Sequence, residues 1–181
     1  MQKVHGKSRV FVLLFTIIGI LIISGFMFKP ALRLAFPLEY GFYIEKYSKL
    51  YDIDKYLVMS VISTESKFDP DATSHKDARG LMQIQDNTAT WCMDRFGIEP
   101  EGNDLYDPEL NINIGCSYMS YLLDKYSGNT DTALAAYNAG EGNVASWIEE
   151  NRTVPGDIPF EETENYVKKV NNRFRIYNFI Y

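Results

Sequence analysis

The chain has 181 residues, enough for one ordinary globular domain with a short appendage. Hydrophobic residues make up 46% of it, including 13 Tyr and 11 Phe, so it can bury a core without metal or several disulfides. Beyond residue 38 there are 13 basic and 24 acidic residues, a net charge of about −11. Such a surface repels polyanions, which excludes nucleic acid as a partner.

The N-terminal part is dominated by residues 10–28, nineteen positions without a charge. This length suffices to cross a bilayer as a helix, and the basic residues before it favour a cytoplasmic N-terminus. A cleavable signal peptide would have a shorter apolar region ending at a small-x-small site, which is absent here. The sequence predicts a cytoplasmic segment 1–9, one uncleaved transmembrane helix 10–28, a linker 29–39 and an extracytoplasmic domain 40–181 at the cell membrane.

The domain begins with two predicted helices, and the second one carries an unusual glutamate. Asp52 or Asp54 can cap this second helix, which is expected to end near Asp69 and Pro70. Glu65 would lie in its last turns and continue the apolar stripe that contains Ile62. Burial raises the pKa of a carboxyl group and makes it a general acid near neutral pH, whereas an ordinary helix-terminal Glu would face solvent or pair with Lys.

A polar loop and an apolar run follow this helix. The loop, 71–79, contains His75, which has no neighbours at metal-ligand spacing and is expected to be solvated, so no metal site is predicted. The run 80–84 holds one amide, that of Gln83. Cys92 and Cys116 can either pair in an oxidising exterior or remain small buried hydrophobes, and the sequence leaves both open.

The rest of the domain is predicted to be helical, because no convincing alternation of a β-strand occurs. The expected helices are 88–96, capped by Asp86 or Asn87 and stopped by Gly97; one from Asp107-Pro108 to Gly128; 131–138, capped by Thr130; 144–149; and 161–181. The predicted fold class is therefore all-α.

Four blocks occur in a fixed order along the domain: Glu65-Ser66, Gly80-Leu81-Met82-Gln83-Ile84, Ala135-Ala136-Tyr137-Asn138-Ala139-Gly140 and Ile158-Pro159-Phe160-Glu161-Glu162-Thr163. With Asp107-Pro108, Asn111-Ile112 and Gly115 between them, they resemble the soluble lytic transglycosylase family and its lysozyme-like catalytic domain, over roughly residues 40 to 178. The resemblance implies a lysozyme-like all-α fold and cleavage of peptidoglycan between N-acetylmuramic acid and N-acetylglucosamine, without water, leaving a 1,6-anhydromuramyl end.

The resemblance also implies roles for particular residues. Glu65 would protonate the glycosidic oxygen and then accept the proton of the sugar's own 6-hydroxyl, so that no second carboxylate, metal or organic cofactor is needed. The supporting residues would be Tyr137, hydrogen-bonded to Glu65; Ser74, near the reacting N-acetylmuramic acid; Gln83 and Asn138, contacting sugar or bracing the site; and Met82 and Tyr166, lining the groove. The sequence departs from the family pattern at Asp77, at Gln85-Asp86 and at Glu164, which bears on the positions of the loop and the last helix.

The expected function is thus a membrane-anchored lytic transglycosylase with peptidoglycan strands as its partner. One alternative is a hydrolytic muramidase resembling goose-type lysozyme, in which Asp69, Asp71 or Asp77 would activate water. The other is a wall-binding scaffold without turnover, as part of a secretion or conjugation machinery that must pass the wall.

Overall fold

The structure is a computed structural model that describes residues 4–99, 104–150, 152, 154 and 156–181. The chain divides into two units, one containing the residues up to Leu38 together with Ile180, the other residues 39–179 with Tyr181. Each unit is described separately below.

The first unit is dominated by one long helix, α1, from Val4 to Ala35. Within the part of the chain that the structure describes, none of the helices combines the length and the apolarity that a membrane crossing requires. The predicted transmembrane segment 10–28 falls in α1, but the side chains of residues 10, 20–24 and 26 lie outside the described part, as do residues 1–3 of the predicted cytoplasmic segment. The predicted linker 29–39 is helical up to Ala35, with Pro30 inside the helix.

The second unit contains seven further helices among its described residues. They are α2 (Gly41–Leu50), α3 (Lys55–Glu65), α4 (Asp86–Phe96), α5 (Pro108–Lys125), α6 (Thr130–Ala139), α7 (Glu141–Glu149) and α8 (Glu161–Ile180). Extended pairing in the described part is limited to two isolated bridges, Thr73 with Arg79 and Arg79 with Ile84. The prediction of an all-α fold is confirmed.

Helix ends follow the local signals in most places. Asp54 caps α3 by accepting a hydrogen bond from the backbone N–H of Tyr56, and Asp107 caps α5 in the same way. Two predicted caps are wrong. Asn129, rather than Thr130, caps α6, and the α4 helix already begins at Asp86, after Gln85. In both cases the helix starts one or more residues earlier than its apolar periodicity suggests.

Helix α5 is the centre of the second unit, packing against α2, α4 and α6. Its buried face includes Ile112, Ile114 and Leu122, none of which is exposed to solvent. Cys116 belongs to the same face and Cys92 to α4, and both are buried free cysteines. The cysteines therefore serve as small apolar core residues in this structure.

Candidate active site

Glu65 is the last residue of α3, so the helix ends earlier than predicted. Lys67 and Phe68 both have left-handed backbones, with φ of 57° and 66°, and this conformation cannot continue a right-handed helix. The turn leaves Glu65 partly buried, after the fully buried Val61 and Ile62 on the same helix. The predicted position at a helix end on an apolar face is what the structure shows.

The environment of Glu65 makes its carboxyl group a weaker acid than that of an ordinary glutamate. Its pKa is raised from 4.5 to about 7, chiefly because burial disfavours the carboxylate. Tyr166 and Lys169 lower this pKa by less than burial raises it, and Glu162 adds to the effect of burial. At neutral pH a substantial fraction of Glu65 therefore carries a proton that it can donate.

Tyr166, on α8, is the tyrosine that acts on Glu65 directly. The phenol is buried, and burial and the nearby Glu65 both raise its pKa, so it stays a neutral hydroxyl. Its hydroxyl lacks a hydrogen bond of normal geometry to any described residue, yet it lies close enough to Glu65 to lower the pKa of the carboxyl. A buried donor next to a carboxylate favours the charged form that arises after proton transfer.

Tyr137, on α6, does not make the hydrogen bond to Glu65 that was predicted for it. Its hydroxyl donates to the backbone carbonyl of Met82 at 2.8 Å. Glu65 does raise the pKa of Tyr137 through space, so the two side chains are neighbours. Tyr137 therefore links α6 to the loop before α4, and its influence on Glu65 is indirect.

A cleft of about 320 Å³ opens beside Glu65. Four predicted site residues line it together with Glu65, namely Ser74, Gln83, Tyr137 and Asn138. Other lining residues include His75, Thr88, Tyr118, Gly140 and Glu162. The structure thus brings together residues from α3, the following loop, α4, α5, α6 and α8, many of which are distant in sequence.

Met82 and Tyr166 were both predicted to line the groove, and neither lies in the cleft wall. The Met82 side chain has 0% exposure and packs against Gly115 of α5, where a Cβ atom would collide with its sulfur. Met82 contributes to the site through its backbone carbonyl, which accepts the hydrogen bond from the Tyr137 hydroxyl, and not through its side chain. Tyr166 lies behind the cleft, buried against Glu65.

The loop between α3 and α4 is braced by side-chain hydrogen bonds to the backbone. The Ser74 hydroxyl accepts from the backbone N–H groups of Lys76 and Ala78 at 3.2 and 3.1 Å. Gln83, in a left-handed conformation with φ 51°, donates from Nε2 to the carbonyls of Ala72 and Gly80. Each of these side chains fixes the loop while lining the cleft.

Asn111 of α5 fixes the same loop through hydrogen bonds to its backbone. Its buried amide accepts from the N–H of Met82 at 2.7 Å and donates to the carbonyls of Arg79 and Leu105 at 2.9 and 2.8 Å. Gly80, with φ 72°, lies so near this amide that any side chain would overlap it. The block 80–84 owes its shape to this clamp, a role that no local pattern around Asn111 indicates.

The last helix, α8, contributes to the cleft through residues of its first turn. The Thr163 hydroxyl donates to Oδ1 of Asn138 at 2.8 Å, tying α8 to α6 beside the cleft. Glu162 is a further carboxylate in the cleft lining, and no local pattern distinguishes it from Glu161 and Glu164 in the same first turn of α8. Asp69, Asp71 and Asp77, the candidates for activating water, are exposed and lie outside the lining.

No cluster of three or more His, Cys, Asp or Glu with the placement to hold a metal ion occurs among the described residues. His75 lines the cleft but is exposed. The chemistry that the described side chains themselves offer is proton transfer by Glu65, supported by neighbouring hydroxyl and amide groups.

Comparison with known proteins places these features in a family context. Residues 42–158 match the family described as Transglycosylase SLT domain. The soluble lytic murein transglycosylase of Salmonella typhimurium is 38% identical over 143 residues, which are 75% of this chain and 22% of that protein. The membrane-bound lytic murein transglycosylase C of Serratia proteamaculans is 32% identical over 163 residues, covering 74% of this chain and 45% of that protein.

Solved structures agree with the sequence relatives. The crystal structure of the 70 kDa soluble lytic transglycosylase from Escherichia coli is similar with a TM-score of 0.77 at 35% identity, covering 82% of this chain and 25% of that chain. The lytic transglycosylase of Pseudomonas aeruginosa, solved as an inactive mutant, gives a TM-score of 0.76 at 32% identity. The chain spans less than half the length of each of the relatives described here.

Proposed function

Because the chain belongs to the transglycosylase SLT domain family, we propose that it is a lytic transglycosylase acting on the glycan strands of peptidoglycan. The bond cleaved joins N-acetylmuramic acid to N-acetylglucosamine, and the product carries a 1,6-anhydro-N-acetylmuramic acid end. The observation that carries the proposal is Glu65, a desolvated carboxyl group with a pKa of about 7 at the wall of an open cleft. The names of the relatives, lytic murein transglycosylases, support the substrate class.

The proposed reaction uses Glu65 twice. Protonated Glu65 first gives its proton to the glycosidic oxygen, the bond from that oxygen to C1 of N-acetylmuramic acid breaks, and positive charge develops at C1. The 6-hydroxyl of the same sugar then attacks C1 and passes its proton to the Glu65 carboxylate, which restores the acid. Atoms and protons balance without water, and one carboxyl group suffices because the substrate supplies the nucleophile.

The other site residues have supporting roles in this proposal. Tyr166 stabilises the Glu65 carboxylate between the two steps, since its buried hydroxyl favours the charged form. Ser74, Gln83 and Asn138 line the cleft and contact sugar hydroxyl and acetamido groups. Tyr137 sets the position of the loop that contains Gln83 through the Met82 carbonyl.

A hydrolytic muramidase remains the second candidate, and Glu162 is the observation that favours it. This carboxylate lines the cleft with Glu65 and could activate a water molecule, as the second carboxyl group of a glycosidase does. The two reactions differ in their products by one water, because hydrolysis leaves a reducing end and the proposed reaction leaves an anhydro end.

Mass analysis of products from purified peptidoglycan tests the proposal. The expected products carry anhydro ends, and Glu65→Gln should lower the rate by about 10²- to 10⁴-fold, because an amide of nearly the same shape cannot transfer the proton. Glu161→Gln, in an exposed residue outside the cleft, is the matched control and should retain activity. Products one water heavier would establish hydrolysis, and glycan binding without any turnover would favour the wall-binding scaffold.

Membrane attachment is a further part of the proposal, with residues 10–28 as a single-pass anchor and the domain 40–181 on the extracytoplasmic side of the membrane. The nineteen uncharged residues of this segment and the name of the membrane-bound relative support it. An anchor would hold an acidic domain near a wall whose stem peptides also carry carboxylates. Alkaline carbonate extraction of membranes should leave the full chain in the pellet and release a chain lacking residues 1–38; full-length protein in the supernatant would contradict the anchor.

A further inference from the structure

Trp91, on α4, packs against neighbouring rings on one side and is exposed to solvent on the other. It is 36% exposed, whereas the other tryptophan of the chain, Trp147, is 5% exposed and packs edge-on against Phe160. Thr88, one helical turn before Trp91 on the same face of α4, lines the cleft. The part of this large aromatic side chain that remains in solvent offers an apolar surface to a ligand bound next to the cleft.

A continuous band of aromatic rings connects Trp91 with the cleft. Tyr137 and Tyr118, which both line the cleft, have ring centroids 5.5 Å apart. The ring of Trp91 lies 6.2 Å from that of Tyr118, edge to face, and 4.6 Å from that of Tyr121. The band thus runs from the wall of the cleft across Trp91 to Tyr121.

A second depression, of about 350 Å³, lies at the far end of this band. Arg95, Phe96, Tyr121, Asp124 and Lys125 line it. Three of these contact Trp91: Phe96 and Tyr121 through their rings, and Arg95 through a guanidinium 5.3 Å from the indole centroid. Trp91 therefore stands between the cleft and the depression.

A second connection joins the depression to the cleft on its other side. The Tyr121 hydroxyl and the Lys125 ammonium both donate to one carboxylate oxygen of Glu141, at 2.9 and 2.8 Å. Glu141 directly follows Gly140, which lines the cleft. These hydrogen bonds hold the depression at a fixed place relative to the cleft.

The chemistry of the depression suits a neutral sugar ring. Aromatic rings offer apolar faces for stacking, and Arg95, Asp124 and Lys125 offer hydrogen-bond donors and acceptors at their edge. Charges of both signs are present, so neither an anion nor a cation is favoured. We propose that Trp91 and this depression form a distal saccharide subsite, which binds sugar units of the glycan strand beyond those held at Glu65.

This inference rests on the proposed function, because it assigns a further part of the same substrate. Its consequence is that affinity depends on strand length. Oligosaccharides that reach from the cleft past Trp91 gain the contact, and shorter ones do not. KM for long strands should therefore depend on Trp91, while kcat should not, since Trp91 is not among the residues that line the cleft with Glu65.

Calorimetric titration of the full chain carrying Glu65→Gln, which prevents cleavage, tests the subsite. The probes are β-1,4-linked oligomers of N-acetylglucosamine with three and six units. The hexamer should bind more tightly than the trimer, and Trp91→Ala should weaken hexamer binding roughly tenfold, the loss expected for one aromatic stacking contact. Trp91→Phe should recover part of the affinity, which loss of folding would not allow. Phe42→Ala, at an exposed aromatic residue of α2, is the control and should bind as the parent does.

The inference is overturned if Trp91→Ala binds the hexamer as tightly as the parent, if Trp91→Ala and Phe42→Ala lose affinity equally, or if the trimer loses as much as the hexamer. These results would not bear on whether the cleavage products carry anhydro ends. Conversely, length-dependent binding through Trp91 with hydrolytic products would refute the proposed reaction and retain the subsite.

Discussion

The desolvation of Glu65 predicts that Glu65→Gln makes the protein more stable at alkaline pH while destroying its activity. In the folded protein the pKa of Glu65 is about 7, against an ordinary value of 4.5. A carboxyl group with a raised folded-state pKa stabilises the protein fully below its unfolded-state pKa, and this contribution is lost as the pH rises through the folded-state pKa. Glutamine has no proton to lose, so the variant avoids the penalty of a buried negative charge.

The magnitude follows from the size of the pKa change. A difference of about 2.5 pH units corresponds to roughly 3 kcal/mol at pH 8, at about 1.4 kcal/mol for each unit. Because Glu65 is only partly buried and borders an open cleft, we expect ~2 kcal/mol relative to the difference at pH 4, where both states are protonated.

Urea unfolding of the two proteins at pH 4, 6 and 8 measures this quantity. The stability advantage of Glu65→Gln should be smallest at pH 4 and rise through pH 7. Glu161→Gln reports the effect of removing an exposed carboxylate at the start of α8. An advantage that is the same at all three pH values, or that grows on acidification, would refute the burial of a proton donor at position 65.

Two further predictions concern the groups around Glu65. Tyr166→Phe removes a hydroxyl that lowers the pKa of Glu65, so the alkaline limb of the pH–rate profile should move to higher pH. Tyr137→Phe loses a hydrogen bond to a backbone carbonyl instead and should leave that limb in place. Equal shifts in both variants would contradict the assignment of Tyr166 as the tyrosine that acts on Glu65. Asn111→Ala leaves the Met82 N–H and the Leu105 carbonyl without a hydrogen-bond partner, whereas the Arg79 carbonyl keeps its bond from the Ile84 N–H, so the variant should cost about 2–6 kcal/mol in urea unfolding. Asn113→Ala, which loses one hydrogen bond to a tyrosine hydroxyl, should cost about 1 kcal/mol. A cost below about 1 kcal/mol for Asn111→Ala would show that the loop 80–84 does not depend on it.

Local chemistry in the sequence determined the helices and the position of the acid. Asp54 and Asp107 cap the helices that directly follow them, and the apolar spacing before Glu65 placed it on a buried stripe. These features depend on neighbours within a few residues, so they can be derived without knowledge of the fold.

The partners of Glu65 and the wall of the cleft were decided by tertiary structure alone. Tyr137 and Tyr166 both belong to blocks typical of the family, and only the packing of α6 and α8 determines that the first reaches the Met82 carbonyl and the second the carboxyl group. Met82 is turned into the core because Gly115, 33 residues later, leaves room for its sulfur, and Asn111 fixes the same loop from α5. Contacts between residues so far apart arise from steric fit and from the need to pair buried polar groups, and neither leaves a periodic pattern in the sequence.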